Sequence, residues 1–175
     1  AASGRLAEEI VPVIVKGRKG EETPFQVDEH PRPDVTAEKL AGLAPVFDEK
    51  GIVTPGNSSG INDAGAALVM TTAEAAKERG LSPMGRLISW GVSGVEPEIM
   101  GIGPVPASEI ALDRAGLKLD DMEVIEVNEA FAAQYVAVEK EMGLDRSIVN
   151  VNGGAIALGH PVGATGARLT VTLLK

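Results

Sequence analysis

From residue 85 onward, two hydrophobic periods alternate along the chain. Short apolar runs rich in valine, isoleucine and leucine predict strands buried on both faces, and they cover residues 86–92, 123–127 and 148–152. Apolar residues at helical spacing predict helices over residues 107–115 and 129–142, which Gly116 and Gly143 close, and a further helix from about Ala164. This rhythm predicts an α/β fold with a mostly parallel sheet covered by helices.

The first 84 residues follow the same rules less regularly. Residues 1–9 have the pattern of the last turns of a helix, and residues 10–15 form an apolar run whose Pro12 indicates a short or edge strand. Residues 16–33 are polar and broken by glycine and proline, which predicts a loop. The remaining expected elements are a helix from Asp34 or Thr36 to Phe47, a strand over residues 66–70, and a helix over residues 73–79 that Thr71 or Thr72 caps and Gly80 ends.

Composition indicates a globular protein and argues against several classes of function. The 175 residues are 44% hydrophobic with a mean hydropathy of +0.09, enough to bury a sizeable core. The net charge of −9 argues against a nucleic-acid surface and a polybasic membrane patch. No apolar run approaches the roughly 18 residues of a membrane span, and no secretory leader is recognisable. We therefore expect a cytoplasmic protein, or one of an organelle matrix.

The glycine-rich stretch of residues 151–168 places one of only two histidines, His160, where a predicted strand gives way to a predicted helix. Its glycines permit backbone angles and close approaches that a Cβ would block, and Pro161 stiffens the turn. Such a turn can present a general base or a neutral donor at a helix N-terminus. An isolated histidine in a turn is more commonly structural. No metal-ligand spacing, phosphate loop or dinucleotide fingerprint accompanies it.

Three segments of the chain resemble motifs of the thiolase family and occur in the family's order. They are Thr-Pro-Gly-Asn-Ser-Ser-Gly-Ile-Asn-Asp at residues 54–63, Val-Asn-Glu-Ala-Phe-Ala-Ala at residues 127–133, and the Gly-His-Pro turn around His160. The resemblance covers essentially the whole chain and implies a layered α-β-α-β-α fold, of which this chain holds mostly the C-terminal half. It implies three parts: the end of a loop (CoA-binding) domain at residues 1–61, a return to the first core half at 62–83, and most of the second half at 84–175.

The same resemblance implies an acyltransferase that condenses two acetyl-CoA to acetoacetyl-CoA and catalyses the reverse thiolysis. His160 would take the proton of a nucleophilic cysteine and donate to the enolate-like oxygen of acetyl-CoA. The Asn128 amide would hold the water that completes the oxyanion hole with His160. From its position alone, Asn128 could instead cap the helix that Glu129 starts. Ala130 and Phe131 follow as pocket wall, although Phe131 could equally be helix core.

Coenzyme A is implied as a substrate thioester, with no cofactor and no metal. Ser59 corresponds to a serine that contacts the pantetheine arm, and Ser58 and Gly56 shape the channel; a serine-glycine turn that binds nothing has the same pattern. Arg32 matches an arginine near the adenine, on which its guanidinium can stack, and a solvated loop arginine is the alternative. The full-length enzyme is expected to be a homo-oligomer, a dimer or tetramer.

The chain departs from the family pattern in its missing cysteines and at two positions. It contains no cysteine, whereas thiolases use a nucleophilic and an acid/base cysteine. We therefore expect an internal or C-terminal fragment of a longer enzyme, inactive alone. Ala64 stands where the family has glycine, and Thr165 replaces the commoner serine but keeps its hydroxyl.

Two alternative functions stay open. One is a 3-ketoacyl-CoA thiolase of fatty-acid degradation, although residues 22–33 look more like the bacterial acetyl-CoA enzymes. The other is a non-catalytic CoA-binding or scaffold module, or one part of an enzyme assembled from separate chains. Tight CoA binding by this chain alone would support the module, and a cysteine-bearing partner chain would support the assembly.

Overall fold

The computed structural model describes residues 3–175, and the chain divides into two compact units, Ala1–Asp34 and Val35–Lys175. The first unit contains a 3-10 turn at Ala7–Glu9 and an antiparallel hairpin of two strands, β1 (Val13–Lys16) and β2 (Glu22–Phe25). The apolar run at residues 10–15 therefore does supply a strand. Residues 1 and 2 of the predicted first helix lie outside the described residues.

The hairpin shows that the predicted loop at residues 16–33 is wrong in part. Pro24 lies within β2, opposite Ile14. A proline is tolerated there because each strand of a two-stranded ribbon has one free edge, where no N–H is required. The chain reverses at Gly20, whose φ of +86° is readily adopted by glycine. Glycine and proline usually predict an interruption of regular structure, but here Gly20 and Pro24 are part of a hairpin.

The second unit is mainly helical, with long irregular connections. Within residues 35–175 the helices are α1 (Ala37–Ala41), α2 (Ala73–Glu78), α3 (Pro104–Ala115), α4 (Ala132–Met142), α5 (Ala155–Leu158) and α6 (Thr165–Leu173). Short 3-10 turns lie at Pro55–Asn57, Pro97–Ile102 and Leu119–Asp121. No helix in the described part of the chain has the length and apolar character needed to cross a membrane.

The predicted parallel sheet does not form within residues 3–175. The only sheet there is the hairpin, and no strand is found over residues 66–70, 86–92, 123–127 or 148–152. One parallel bridge, between Ile125 and Val149, joins the last two runs. A strand needs a hydrogen-bonded neighbour as well as apolar side chains, and the first two runs lack one, with Val69 98% and Val92 81% exposed.

Capping residues explain where two of the helices begin and where two others end. The hydroxyls of Thr36 and Thr72 accept from backbone N–H groups in the first turns of α1 and α2. Gly116 and Gly143 end α3 and α4 in the left-handed conformation, as predicted. Three predicted helix boundaries are wrong: α1 ends at Ala41 and not near Phe47, α3 begins at Pro104 and not at Ala107, and α4 begins at Ala132 and not at Glu129.

The core of the second unit lies where α3 and α4 meet the Ile125–Val149 bridge. Val105, Val138, Leu144 and Val149 are buried together. Partly buried apolar side chains extend this cluster: Ile102, Leu119, Ile125, Val127, Tyr135, Met142 and Ile148. Since Val127 and Val149 directly precede two asparagines, the core anchors the polar turns in which the predicted site lies.

Replacing Gly143 tests the left-handed end of α4. Gly143→Ala should lower the free energy of unfolding by about 1 kcal/mol, because a Cβ is disfavoured at its φ of +68°. The matched control is Gly166→Ala in α6, where an added Cβ meets open space and a change between zero and a gain of about 1 kcal/mol is expected. Urea unfolding followed by circular dichroism measures both. Equal effects of the two substitutions would contradict the assignment.

Candidate active site

Residues 58–61 run between two turns and are hydrogen-bonded to both. On one side, Ser59 N donates to Ala130 O at 3.0 Å. On the other side, His160 N donates to Gly60 O at 2.9 Å. Each bond belongs to a short bridge, antiparallel toward the first turn and parallel toward the second. The structure thus brings together the three segments singled out in the sequence.

Asn128 and His160 meet at this junction. Asn128 Nδ2 and His160 Nε2 are 3.4 Å apart, and both side chains are partly buried. The expected proximity of these two residues is confirmed, and their contact is direct. Asn128 Oδ1 is buried and has no hydrogen-bond partner within residues 3–175. The amide therefore has an uncommitted acceptor beside the imidazole.

Thr165 holds the other side of the imidazole. Its Oγ1 lies 2.7 Å from His160 Nδ1 and donates to Pro161 O at 2.9 Å. Since the hydroxyl has one proton and gives it to Pro161, it accepts the Nδ1–H of the ring. Nε2 of the neutral ring then carries no proton and accepts from Asn128. His160 accordingly presents its basic nitrogen toward Asn128.

Asn128 is not the cap of α4, so the local interpretation of this residue is wrong. The helix begins at Ala132, and its N-cap position is Phe131, whose side chain makes no capping hydrogen bond. Residues 128–131 are an irregular segment before the helix, which frees the Asn128 amide from a capping role. The ring of Phe131 packs edge-on against Phe47, with centroids 5.9 Å apart.

A cavity of about 600 Å³ adjoins the pair. Asn128 and His160 are among its few polar groups, and Ala130 and Phe131 both line it. Most of the remaining lining is apolar, contributed by Val53, Met100, Pro104, Ile125, Val127, Ala133 and Met142. An apolar cavity with a few convergent polar groups is the usual form of a small-molecule site.

The turn at residues 54–60 is held together by its own side chains. Ser58 Oγ donates to Thr54 O at 2.7 Å, so that hydroxyl is committed within the turn. Gly56 lies against the side chains of Leu40 and Leu43, which would have to shift to admit a Cβ. The hydroxyl of Ser59 differs, because it has no hydrogen-bond partner in the part of the chain that the structure describes. It is therefore available to a ligand.

The structure leaves the predicted role of Arg32 untested. Arg32 is exposed and lies in the first unit, and its contact with adenine stays a prediction. Among residues 3–175, no group of three or more His, Asp or Glu side chains is placed to hold a metal ion.

Glu126 is a buried carboxylate that sequence reasoning missed. Its side chain is 2% exposed and lies 3.9 Å from Arg168 Nη1, and within residues 3–175 neither carboxylate oxygen has a hydrogen-bond partner. Burial raises the pKa of Glu126 above its ordinary value, the positive charge of Arg168 opposes that shift, and the charge of Glu129 adds to it. A charged residue inside the apolar run 124–127 was the available signal.

Comparison with known proteins identifies the relatives of this chain. The family model described as "Thiolase, C-terminal domain" matches residues 81–175, and "Thiolase, N-terminal domain" matches residues 1–74. The acetyl-CoA acetyltransferase of Shinella zoogloeoides is 58% identical over 172 residues, and the beta-ketothiolase BktB of Cupriavidus necator is 57% identical over 173. Each match covers 98% of this chain but only 43% and 44% of the relatives, so the chain spans less than half of their length.

Solved structures give the same result. The crystal structure of the Bacillus anthracis acetyl-CoA acetyltransferase matches with a TM-score of 0.90 at 54% identity, over 99% of this chain and 44% of that one. The crystal structure of human mitochondrial 3-ketoacyl-CoA thiolase in complex with CoA matches with a TM-score of 0.84 at 47% identity, over 99% of this chain and 42% of that one.

Removing the hydroxyl of Thr165 tests the hydrogen bonds around His160. Thr165→Val keeps the shape but leaves His160 Nδ1 without its partner, so the free energy of unfolding should fall by roughly 1–3 kcal/mol. Thr165→Ser keeps the hydroxyl and should cost less than about 1 kcal/mol. Urea denaturation measures both, and the assignment is wrong if valine and serine behave alike.

Neutralising Glu126 tests the effect of burying its carboxylate. A raised pKa in the folded state means that this group stabilises the fold when protonated, and that this stabilisation is lost as pH rises through the folded pKa. Glu126→Gln should therefore be more stable than the natural chain at pH 7. The difference should disappear below the ordinary glutamate pKa of 4.5.

The matched control for that substitution is Glu123→Gln, an exposed glutamate three positions earlier. Urea unfolding midpoints of the three proteins, measured from below the ordinary glutamate pKa of 4.5 up to neutral pH, give the comparison. A Glu126→Gln protein less stable than the natural chain at pH 7 would show that pairing with Arg168 outweighs burial.

Proposed function

Because this chain belongs to the thiolase family, we propose that its Asn128–His160 pair serves acyl transfer on coenzyme A thioesters. The proposed reaction of the whole protein is the condensation of two acetyl-CoA to acetoacetyl-CoA and the reverse thiolysis. The α/β fold expected from the family resemblance is confirmed by the solved structures it matches. The observation that carries the proposal is the 3.4 Å contact of Asn128 with His160 beside an apolar cavity.

The tautomer of the neutral His160 ring supports a role as base. With Nδ1–H donated to Thr165, the lone pair of Nε2 faces the junction. Nε2 can take the proton of a thiol, which breaks the S–H bond and leaves the electron pair on sulfur as a nucleophile. In the thiolase family that thiol belongs to a cysteine, a residue this chain does not contain.

Once protonated, the same nitrogen becomes a donor. Nε2–H can then stabilise the negative charge that develops on a thioester oxygen, while Asn128 Nδ2, no longer needed as donor to the ring, can orient a water toward that oxygen. Both residues are partly buried, and hydrogen bonds to a developing charge are stronger where bulk water is excluded. One imidazole can thus serve as base and donor in successive steps.

The CoA contacts are proposed from the turn at residues 54–60 and from resemblance. Ser59 supports a pantetheine contact, because its hydroxyl is free and its backbone is tied to the Asn128 turn. Ser58 and Gly56 would shape the channel indirectly. Ser58 does so through its hydrogen bond to Thr54 O, and Gly56 through its packing against leucine side chains. Arg32 is proposed at the adenine end on resemblance alone. We also propose that the full-length enzyme is a homo-oligomer of the cytoplasm.

A second candidate is a 3-ketoacyl-CoA thiolase acting on longer acyl chains. The mainly apolar lining of the 600 Å³ cavity favours it, as does the similarity to the beta-ketothiolase BktB. The two candidates share one site and differ only in the acyl group that the cavity accepts.

A chimera tests the proposed function. This chain would replace the matching 172-residue segment of the Shinella zoogloeoides acetyl-CoA acetyltransferase. The chimera should cleave acetoacetyl-CoA in a CoA-dependent way, whereas the 175-residue chain alone should not, because it lacks the thiol. His160→Ala should lower kcat by about 10²- to 10⁴-fold, and Asn128→Ala by about 10²- to 10³-fold.

The control for the chimera is His30→Ala, which removes the only other histidine of this chain and should leave kcat unchanged. The absorbance of Mg-acetoacetyl-CoA follows the reaction, and longer 3-ketoacyl-CoA substrates compare the two candidates. A chimera that retains its full rate after His160→Ala would refute the proposal.

A further inference from the structure

We propose that Glu129 and Asn150 are positioning residues, whose paired side chains hold Asn128 against His160. The inference rests on the proposed function for the chemical role of Asn128 and His160. We call the paired side chains of Glu129 and Asn150 the clamp, and its existence is argued from geometry alone. It rests on four hydrogen bonds and one close packing contact. Neither Glu129 nor Asn150 belongs to the cavity lining.

Asn150 acts in place of a strand neighbour. Its Oδ1 accepts from Val127 N at 2.9 Å, and its Nδ2 donates to Val127 O at 3.0 Å. One side chain thus satisfies both backbone groups of Val127, as a paired strand would. To do so Asn150 adopts a φ of +48°, and it is the only residue other than glycine with positive φ in the described chain. Asparagine tolerates this conformation better than most residues.

Glu129 connects that asparagine to the histidine turn. Its Oε1 accepts from Asn150 Nδ2 at 3.1 Å, and its Oε2 accepts from Ile156 N at 3.2 Å. Gly154 lies so close to the carboxylate that an added Cβ would overlap it. Ile156 belongs to α5 (Ala155–Leu158), which leads directly into His160. The carboxylate therefore ties the segment of Asn128 to the segment of His160.

The position of Asn128 between the two anchored residues gives the clamp its effect. The backbone of Val127 is fixed by Asn150, and the side chain of Glu129 is fixed by Asn150 and Ile156. The side chain of Asn128 takes no part in these hydrogen bonds, and its Nδ2 lies 3.4 Å from His160 Nε2. Residues 128 and 129 thus have separate tasks, one in the site and one in its support.

Substitutions at the pair separate positioning from general stability. Glu129→Gln places an amide N–H against Asn150 Nδ2 or against Ile156 N, so one hydrogen bond must be lost. Asn150→Asp likewise sets a carboxylate against Glu129. In the double variant, which combines Glu129→Gln with Asn150→Asp, the new amide can donate to the new carboxylate and restore one hydrogen bond in the opposite direction. Asn150→Gly keeps the backbone conformation and removes only the side chain.

Nuclear magnetic resonance of the 15N-labelled chain provides the test. With only two histidines, a long-range 1H–15N spectrum resolves both rings, and His30 in the other unit is the internal reference. Glu129→Gln, Asn150→Asp and Asn150→Gly should shift the His160 ring and Asn128 amide signals while His30 stays unchanged. Hydrogen-exchange protection of Val127 N or Ile156 N should fall roughly tenfold or more.

The double variant should recover part of the His160 shift and of the lost protection, and the matched control Glu141→Gln, an exposed glutamate on α4, should change neither. Lost protection with unmoved His160 and Asn128 signals would overturn the inference and reduce the pair to a structural role. If Glu129→Gln and Asn150→Asp fail to fold while Asn150→Gly folds and its His160 signal is unmoved, the inference is overturned as well. Neither outcome bears on the chimera, which tests the proposed function separately.

Discussion

The site depends on one stretch of backbone that is hydrogen-bonded on both sides. Ser59 uses its N–H toward the Asn128 turn, and Gly60 uses its carbonyl toward the His160 turn. Two turns about thirty positions apart in sequence are therefore set against a common segment, and the spacing of their side chains follows from backbone geometry. Side-chain hydrogen bonds refine this arrangement, with Thr165 on the imidazole and Glu129 behind the asparagine.

Helices were predictable from the sequence because their signals are local. A threonine whose hydroxyl caps the next turn, or a glycine that adopts positive φ, acts within four residues, and Thr72 and Gly143 behave accordingly. Strands depend on a partner elsewhere, so apolar runs such as residues 86–92 satisfy the composition of a strand without forming one. Where a partner was close, at residues 13–16, a strand formed even opposite Pro24.

In the candidate site, the residues that belong to family motifs were predictable from the sequence. Asn128 and His160 stand in family motifs, and their contact follows the expected placement. The supporting residues were not found, because Glu126, Glu129 and Asn150 derive their importance from burial or from contacts more than twenty positions away. Nothing in the sequence around Asn150 indicates that its side chain will form hydrogen bonds with the backbone of Val127.

The unpaired apolar runs have a consequence for how this polypeptide meets other polypeptides. Residues 66–70 and 86–92 combine exposed apolar side chains, Val69 and Val92 among them, with backbone N–H and C=O groups that belong to no ladder. Such segments are chemically equivalent to open sheet edges, on which any apolar strand of suitable length can be added. The same backbone that could complete an ordered sheet could therefore nucleate disordered aggregates, and the outcome depends on which strand arrives first.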